Sequence, residues 1–169
     1  MTTNNQMQFV KDLPNKKITV TRYFNGTADQ VWKAWTEKEM LDQWWAPKPW
    51  KTETKTMDFK NGGSWLYAMA GPDGSKHWCI SEFEGIHPGE SFKAHSTFCD
   101  EKGNKSDDLP GMNWKNEFRA ENGLTKMTVE ITFDKDTEID KILEMGFEQG
   151  FTAALGNLDE LMGKRVGRN

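Results

Sequence analysis

The sequence predicts a single α+β domain in which one antiparallel sheet carries a long C-terminal helix. Three observations predict it. Apolar residues follow a helical period between residues 27 and 45, alternate from Trp50 to Phe133, and return to the helical period from about Glu138 to Met162. Turn signals at Asn61-Gly62-Gly63, Gly71-Pro72-Asp73-Gly74, His87-Pro88-Gly89-Glu90 and Glu121-Asn122-Gly123 break the alternating region into hairpin-linked strands. A chain of 169 residues is also long enough for one substantial core. The expected layout is a tail over residues 1–16, a domain over 17–163 and a short basic tail over 164–169.

The first strand runs from Ile18 to Phe24 and stops at Asn25-Gly26. Thr27 and Gln30 have capping-box spacing, so a helix begins there, with Val31, Trp32 and Trp35 on one side. Thr36 and Glu39 repeat the signal and predict a second short helix through Trp44 and Trp45, ended by Pro47 and Pro49. Six further strands follow, giving seven in all, with a long polar stretch from Asp100 to Met112. The closing helix carries Ile139, Leu143, Phe147, Phe151, Leu158 and Leu161 on one side.

Composition narrows the function classes. The net charge of −4 and pI near 5.5, with no basic stripe, exclude a nucleic-acid binder. No apolar run is long enough to span a bilayer, and the opening residues show no apolar signal core. Cys79 and Cys99 read as free thiols, and the expected compartment is the cytoplasm. Against this polar background, with a mean hydropathy of −0.81, stand eight tryptophans. Large rings on a small sheet fill a core or line a cavity. The small and polar residues opposite them favour the cavity.

Hairpin register assigns the faces. The Gly71–Gly74 turn sets Met69 opposite His77, Tyr67 opposite Cys79 and Trp65 opposite Ser81. The turn at Pro88-Gly89 sets Ile86 opposite Ser91, so Phe83 and Gly85 share a face with Phe92. Asn122-Gly123 sets Phe118 opposite Met127 and Asn116 opposite Val129. The resulting inner face holds Trp65, Tyr67, Met69, Phe83, Phe98, Trp114, Phe118 and Met127, while Lys115, Glu117 and Arg119 face solvent. Ser81, Ser96 and Asn116 also fall inside. They either bond to one another and to ordered water, or orient the polar end of a ligand. On the closing helix Gly146, Gly150 and Ala154 form a smooth strip, for close packing on the sheet or for ligand space. Trp78 and Ile80 fall outside and need a cover. The cluster Phe9, Val10 and Leu13, or a second copy in a homodimer, would supply it.

The order of motifs carries a resemblance. ITVTRYFNGTADQVWKAW, the WWAP segment, MDFKNGG, the GPDG hairpin, FEGIHPGESF and GFEQGFTAALGNLDELM together resemble the START-like helix-grip (SRPBCC) superfamily, and within it the activator of Hsp90 ATPase homologue-like family. The resemblance spans about residues 16–163. It implies a seven-stranded curved sheet gripping a long helix over a hydrophobic cavity. It does not imply one activity, since relatives bind small molecules, cyclise polyketides or assist chaperones.

No motif supplies a metal site, a phosphate cradle or a nucleophile with its base, so no cofactor is expected. His77 is the one inward histidine, near a rim, and with Tyr67 it is the only plausible acid–base pair. The expectation is a module that binds a small hydrophobic ligand between sheet and closing helix, with Phe147, Gly150, Phe151 and Ala154 joining the inner-face residues at the site. The alternatives are a polyketide cyclase or hydratase-like enzyme, and a chaperone-type interaction module presenting exposed aromatics between Trp44 and Trp50.

Overall fold

The computed structural model describes residues 7–107 and 111–166, with side chains through residue 163. Eight strands form one antiparallel sheet: β1 Met7–Asp12, β2 Lys17–Asn25, β3 Lys51–Met57, β4 Ser64–Ala70, β5 Lys76–His87, β6 Ser91–Cys99, β7 Met112–Glu121 and β8 Leu124–Thr132. Their spatial order is β1-β2-β8-β7-β6-β5-β4-β3. Helices α1 Ala28–Thr36 and α2 Lys38–Trp44 follow β2, and α3 Asp136–Glu144 and α4 Phe147–Val166 close the chain. Among the described residues no helix is long and apolar enough to cross a membrane.

The expected seven strands are eight because residues 7–12, read as tail, pair with β2 from Met7 opposite Arg22 to Asp12 opposite Lys17. A six-residue edge strand reading MQFVKD, with the apolar Val10 on its exposed side, does not alternate cleanly enough to be read alone. Alternation then decides the fate of the tail cluster. Phe9 turns inward, its ring centroid 6.4 Å from that of Phe147, and Leu13 packs on the core, while Val10 stays 53% exposed.

Local chemistry explains the helices. Thr27 and Gln30 form the expected capping box, with Gln30 N–H donating to Thr27 Oγ1 and Thr27 N–H to Gln30 Oε1. The second expected box is absent. Thr36 is still the last residue of α1, and its hydroxyl donates back to the Trp32 carbonyl, so α2 starts from Glu37 without a side-chain cap. The single closing helix is two, because Met145 and Gly146 interrupt it and Gly146 adopts φ +89°, the left-handed region.

Strand register follows the turns. Met69 faces His77, Tyr67 faces Cys79, Trp65 faces Ser81, Phe118 faces Met127 and Asn116 faces Val129, as expected. The β5–β6 hairpin differs: His87, not Ile86, opposes Ser91. A bulge between Glu84 and His87 absorbs one residue, with Gly85 at φ +57° and its position exposed. Lys115, Glu117 and Arg119 face solvent and Trp65, Phe83, Phe118 and Met127 are buried.

The outer pair Trp78 and Ile80 is covered from within the chain. The loop after β6 turns back through a Cys99–Lys105 bridge, and a Cβ on its Gly103 would stand 3.6 Å from Ile80 Cδ1 and 4.0 Å from Leu66 Cδ2. Lys55 lies over the Trp78 ring and donates to the Glu101 carbonyl. Neither the N-terminal cluster nor a second copy is needed there. The loop's polar sequence hid that role, since its backbone does the covering.

Candidate functional site

The helices fill the concave face unevenly, and that unevenness makes the site. At the α1 end, Trp32 meets Phe92 and Phe118 at centroid distances of 5.7 and 5.2 Å, and Trp35 meets Trp44 at 5.0 Å. Trp44, fully buried, anchors this block by donating its indole N–H to the Ala34 carbonyl. The rings plug the sheet against β6 and β7. Toward the α3–α4 junction the filling stops.

There a cavity of about 600 Å³ lies between the sheet and the helix break, a volume typical of small-molecule sites. Its floor is Tyr67 and Met69 of β4, Cys79 of β5, Ser96, Thr97 and Phe98 of β6, and Met112 and Trp114 of β7. Ile142, Met145, Gly146, Phe147, Gly150 and Phe151 form its roof, and Trp45, Pro47 and Trp50 close one side. Met145, 51% exposed, and the exposed His77 mark the mouth. Trp50 is held there by the neighbouring hairpin. A Cβ on Gly71 would come within 2.9 Å of its ring, and its centroid lies 5.4 Å from that of His77.

Behind this cavity is a smaller void of about 30 Å³, lined by Trp35, Leu41, Trp65, Ser81, Phe83, Phe92, Ala94 and Asn116. Trp45, Ser96 and Trp114 line both spaces, so the two abut. The hydroxyls of Ser81 and Ser96 lie 2.7 Å apart and hydrogen-bond to each other.

The expected site residues therefore divide. Tyr67, Met69, Ser96, Phe98, Trp114, Phe147, Gly150 and Phe151 line the large cavity. Trp65, Ser81, Phe83 and Asn116 face only the inner void. Phe118, Met127 and Ala154 line neither and are packed core, at 6%, 1% and 2% exposure. Period-2 patterning gives the face of a strand but not which part of that face a helix plugs. Trp45, Pro47, Trp50, Met112, Ile142 and Met145 were missed. The stop signal at Pro47 was the available clue, because a chain that leaves a helix just after two tryptophans must carry them past the sheet.

The electrostatics are those of an apolar container. Among the described residues no Asp, Glu, Lys or Arg lines either space. Trp45 Nε1–H donates to the Tyr67 hydroxyl at 3.0 Å, and that hydroxyl in turn donates to the Cys79 sulfur. Burial raises the Tyr67 phenol well above its ordinary value, with further repulsion from Cys79. Burial also pushes the Cys79 thiol up to about 12. Both groups are neutral and unreactive near pH 7. Tyr67 is thus engaged by Trp45 and Cys79, while the His77 ring lies tilted against Trp50 at the rim. Among the described residues no cluster of His, Cys, Asp and Glu could hold a metal ion.

A sequence model of the family described as Activator of Hsp90 ATPase homolog 1-like protein matches residues 25–163. The chain belongs to that family. Activator of Hsp90 ATPase homolog 1-like membership thus covers everything from the end of β2 to α4, whereas β1 lies outside the matched span. The fold is shared with an Arthrobacter aurescens protein, 27% identical with a TM-score of 0.87, covering 93% of this chain and 91% of that one. A Mycobacterium smegmatis protein is 26% identical with a TM-score of 0.86 and coverage of 93% and 97%. A Staphylococcus epidermidis protein is likewise 26% identical, with a TM-score of 0.82 and coverage of 95% and 96%. Comparison with curated proteins finds no match.

Proposed function

We propose that this protein binds a small, mostly apolar molecule in the cavity between β4–β7 and the α3–α4 junction. One observation carries the reading: about 600 Å³ of space is walled largely by aromatic rings, methionines and glycine, with no charged side chain on it among the described residues. A tightly packed interior leaves no such space, since protein cores pack at crystal-like density. The residues that keep it open are small where large ones would fit. A Cβ on Gly150 would meet only Pro47 Cγ at 3.8 Å. The chaperone-type alternative required exposed aromatics between Trp44 and Trp50, but Trp44 is fully buried and Trp45 and Trp50 face the cavity.

The test is titration with the apolar fluorophore 1-N-phenylnaphthylamine, read by its own emission and by quenching of tryptophan. Wild type takes up the probe. Gly150→Leu fills the space and, with better helix propensity than glycine, keeps the fold; it loses binding by tenfold or more, an effect of about 1.4 kcal/mol or greater. His77→Ala binds as wild type does. Equal binding by wild type and Gly150→Leu sinks the proposal.

A further inference from the structure

We propose that the inner void is the polar end of this ligand site and selects an apolar ligand that ends in one uncharged hydroxyl. The inference rests on the binding reading above and names the class of molecule bound.

Three polar atoms around the void lack partners. Asn116 Oδ1, Trp114 Nε1 and Trp35 Nε1 are buried without a hydrogen bond, on residues 2%, 6% and 4% exposed. Buried polar groups are nearly always paired, and leaving one unpaired is costly. All of these residues line the same void, whose volume of about 30 Å³ holds a single oxygen-sized group. Asn116 and Trp114 stand two apart on β7 and share its inner face.

The pattern of donors and acceptors names that group. Asn116 Oδ1 needs a donor, and the indole N–H groups of Trp114 and Trp35 need an acceptor. The Ser81–Ser96 pair spends one of its two hydroxyl hydrogens internally, so the other remains to donate. A hydroxyl both donates and accepts. An ether only accepts. A carboxylate has no proton for Asn116, and among the described residues no lysine, arginine or histidine lines the void to offset burial of its charge. Because Ser96, Trp45 and Trp114 border both spaces, a hydroxyl seated in the void leaves its hydrocarbon in the large cavity.

The experiment displaces 1-N-phenylnaphthylamine with 1-decanol, decyl methyl ether and decanoate. Wild type should prefer decanol to the ether by about tenfold, one hydrogen bond's worth, and bind decanoate more weakly than decanol. Asn116→Leu should lower decanol affinity to that of the ether and leave the ether unchanged. Trp114→Phe keeps a ring and removes the N–H. Either oxygen can accept from that N–H, so the variant should weaken decanol and the ether together, and it decides the matter if the Asn116 variant does not fold. Equal affinity of wild type for decanol and ether, a preference that survives Asn116→Leu, or decanol affinity unchanged by Trp114→Phe overturns the hydroxyl subsite while leaving cavity binding intact. Failure of all three compounds to displace the fluorophore overturns both.

Discussion

Arg22 lies on the inner face of β2, where its neighbours Ile18, Val20 and Phe24 are apolar, and it is only 6% exposed. A cation in that position needs a partner, and Asp159 of α4 supplies one through two bonds of 3.1 and 2.5 Å. The guanidinium also sits 5.0 Å over the Phe24 ring. Removing the carboxylate leaves the charge buried and unpaired. Asp159→Ala should therefore cost about 3 kcal/mol in urea unfolding, whereas the exposed pair of Lys48 and Glu160 should be worth under about 1 kcal/mol. A second prediction comes from Cys79, whose thiol burial pushes up to about 12 from an ordinary 9.0. Above pH 9 the unfolded chain releases this proton and the folded chain does not, so ionisation favours unfolding. The stability is present below pH 9 and is lost as pH rises toward 12. Urea midpoints across that window should fall less steeply for Cys79→Ala than for wild type, and parallel curves would contradict the assignment. Register had already set Cys79 opposite Tyr67, but the Arg22 site could not be read beforehand, since an inward arginine looks like any other period-2 residue until the helix opposite it is placed.

Two glycines of the closing segment face opposite fates. Gly146 holds φ +89° between α3 and α4, so Gly146→Ala should destabilise by about 1 kcal/mol even though nothing lies within 4 Å of the new methyl. Gly156 lies inside α4, also with open space around it, and Gly156→Ala should stabilise by about 0.5–1 kcal/mol. Thermal melts of the two variants should move in opposite directions. In sequence both read as glycines inside one helix, Gly146 on the strip with Gly150 and Ala154, because the 3.6-residue period runs through the break without losing phase. The strands were more legible. The Asn122-Gly123 and Pro72-Asp73-Gly74 turns set register to the residue, while the bulge at Gly85 shifted the third hairpin by one. The first strand was legible only as an apolar cluster. Its alternation predicts that Phe9→Ser lowers the melting temperature and Val10→Ser leaves it within error, since Phe9 packs on Phe147 and Val10 is 53% exposed.

At the scale of the molecule, the container was legible and its empty part was not. Period-2 patterning placed the aromatic residues on one face of a curved sheet. The cavity exists because the rings of α1 plug the part of that face around Phe92 and Phe118, while the broken closing helix leaves the part around Tyr67, Cys79, Phe98 and Met112 open. Which end stays open depends on where helices land, and no local signal carries that. Methionine fills gaps and lines adaptable surfaces equally well, and this chain uses it both ways: Met69, Met112 and Met145 line the cavity, while Met40, Met127 and Met162 are 7%, 1% and 1% exposed in the core. This division permits the most direct test. With methionine methyl groups labelled by carbon-13, an NMR titration with 1-decanol should shift the resonances of Met69, Met112 and Met145 together and leave those of Met40, Met127 and Met162 in place. Shifts confined to the core methionines, or no shift at the three cavity methyls at saturating alcohol, would contradict the account of where, and whether, this protein binds an apolar ligand.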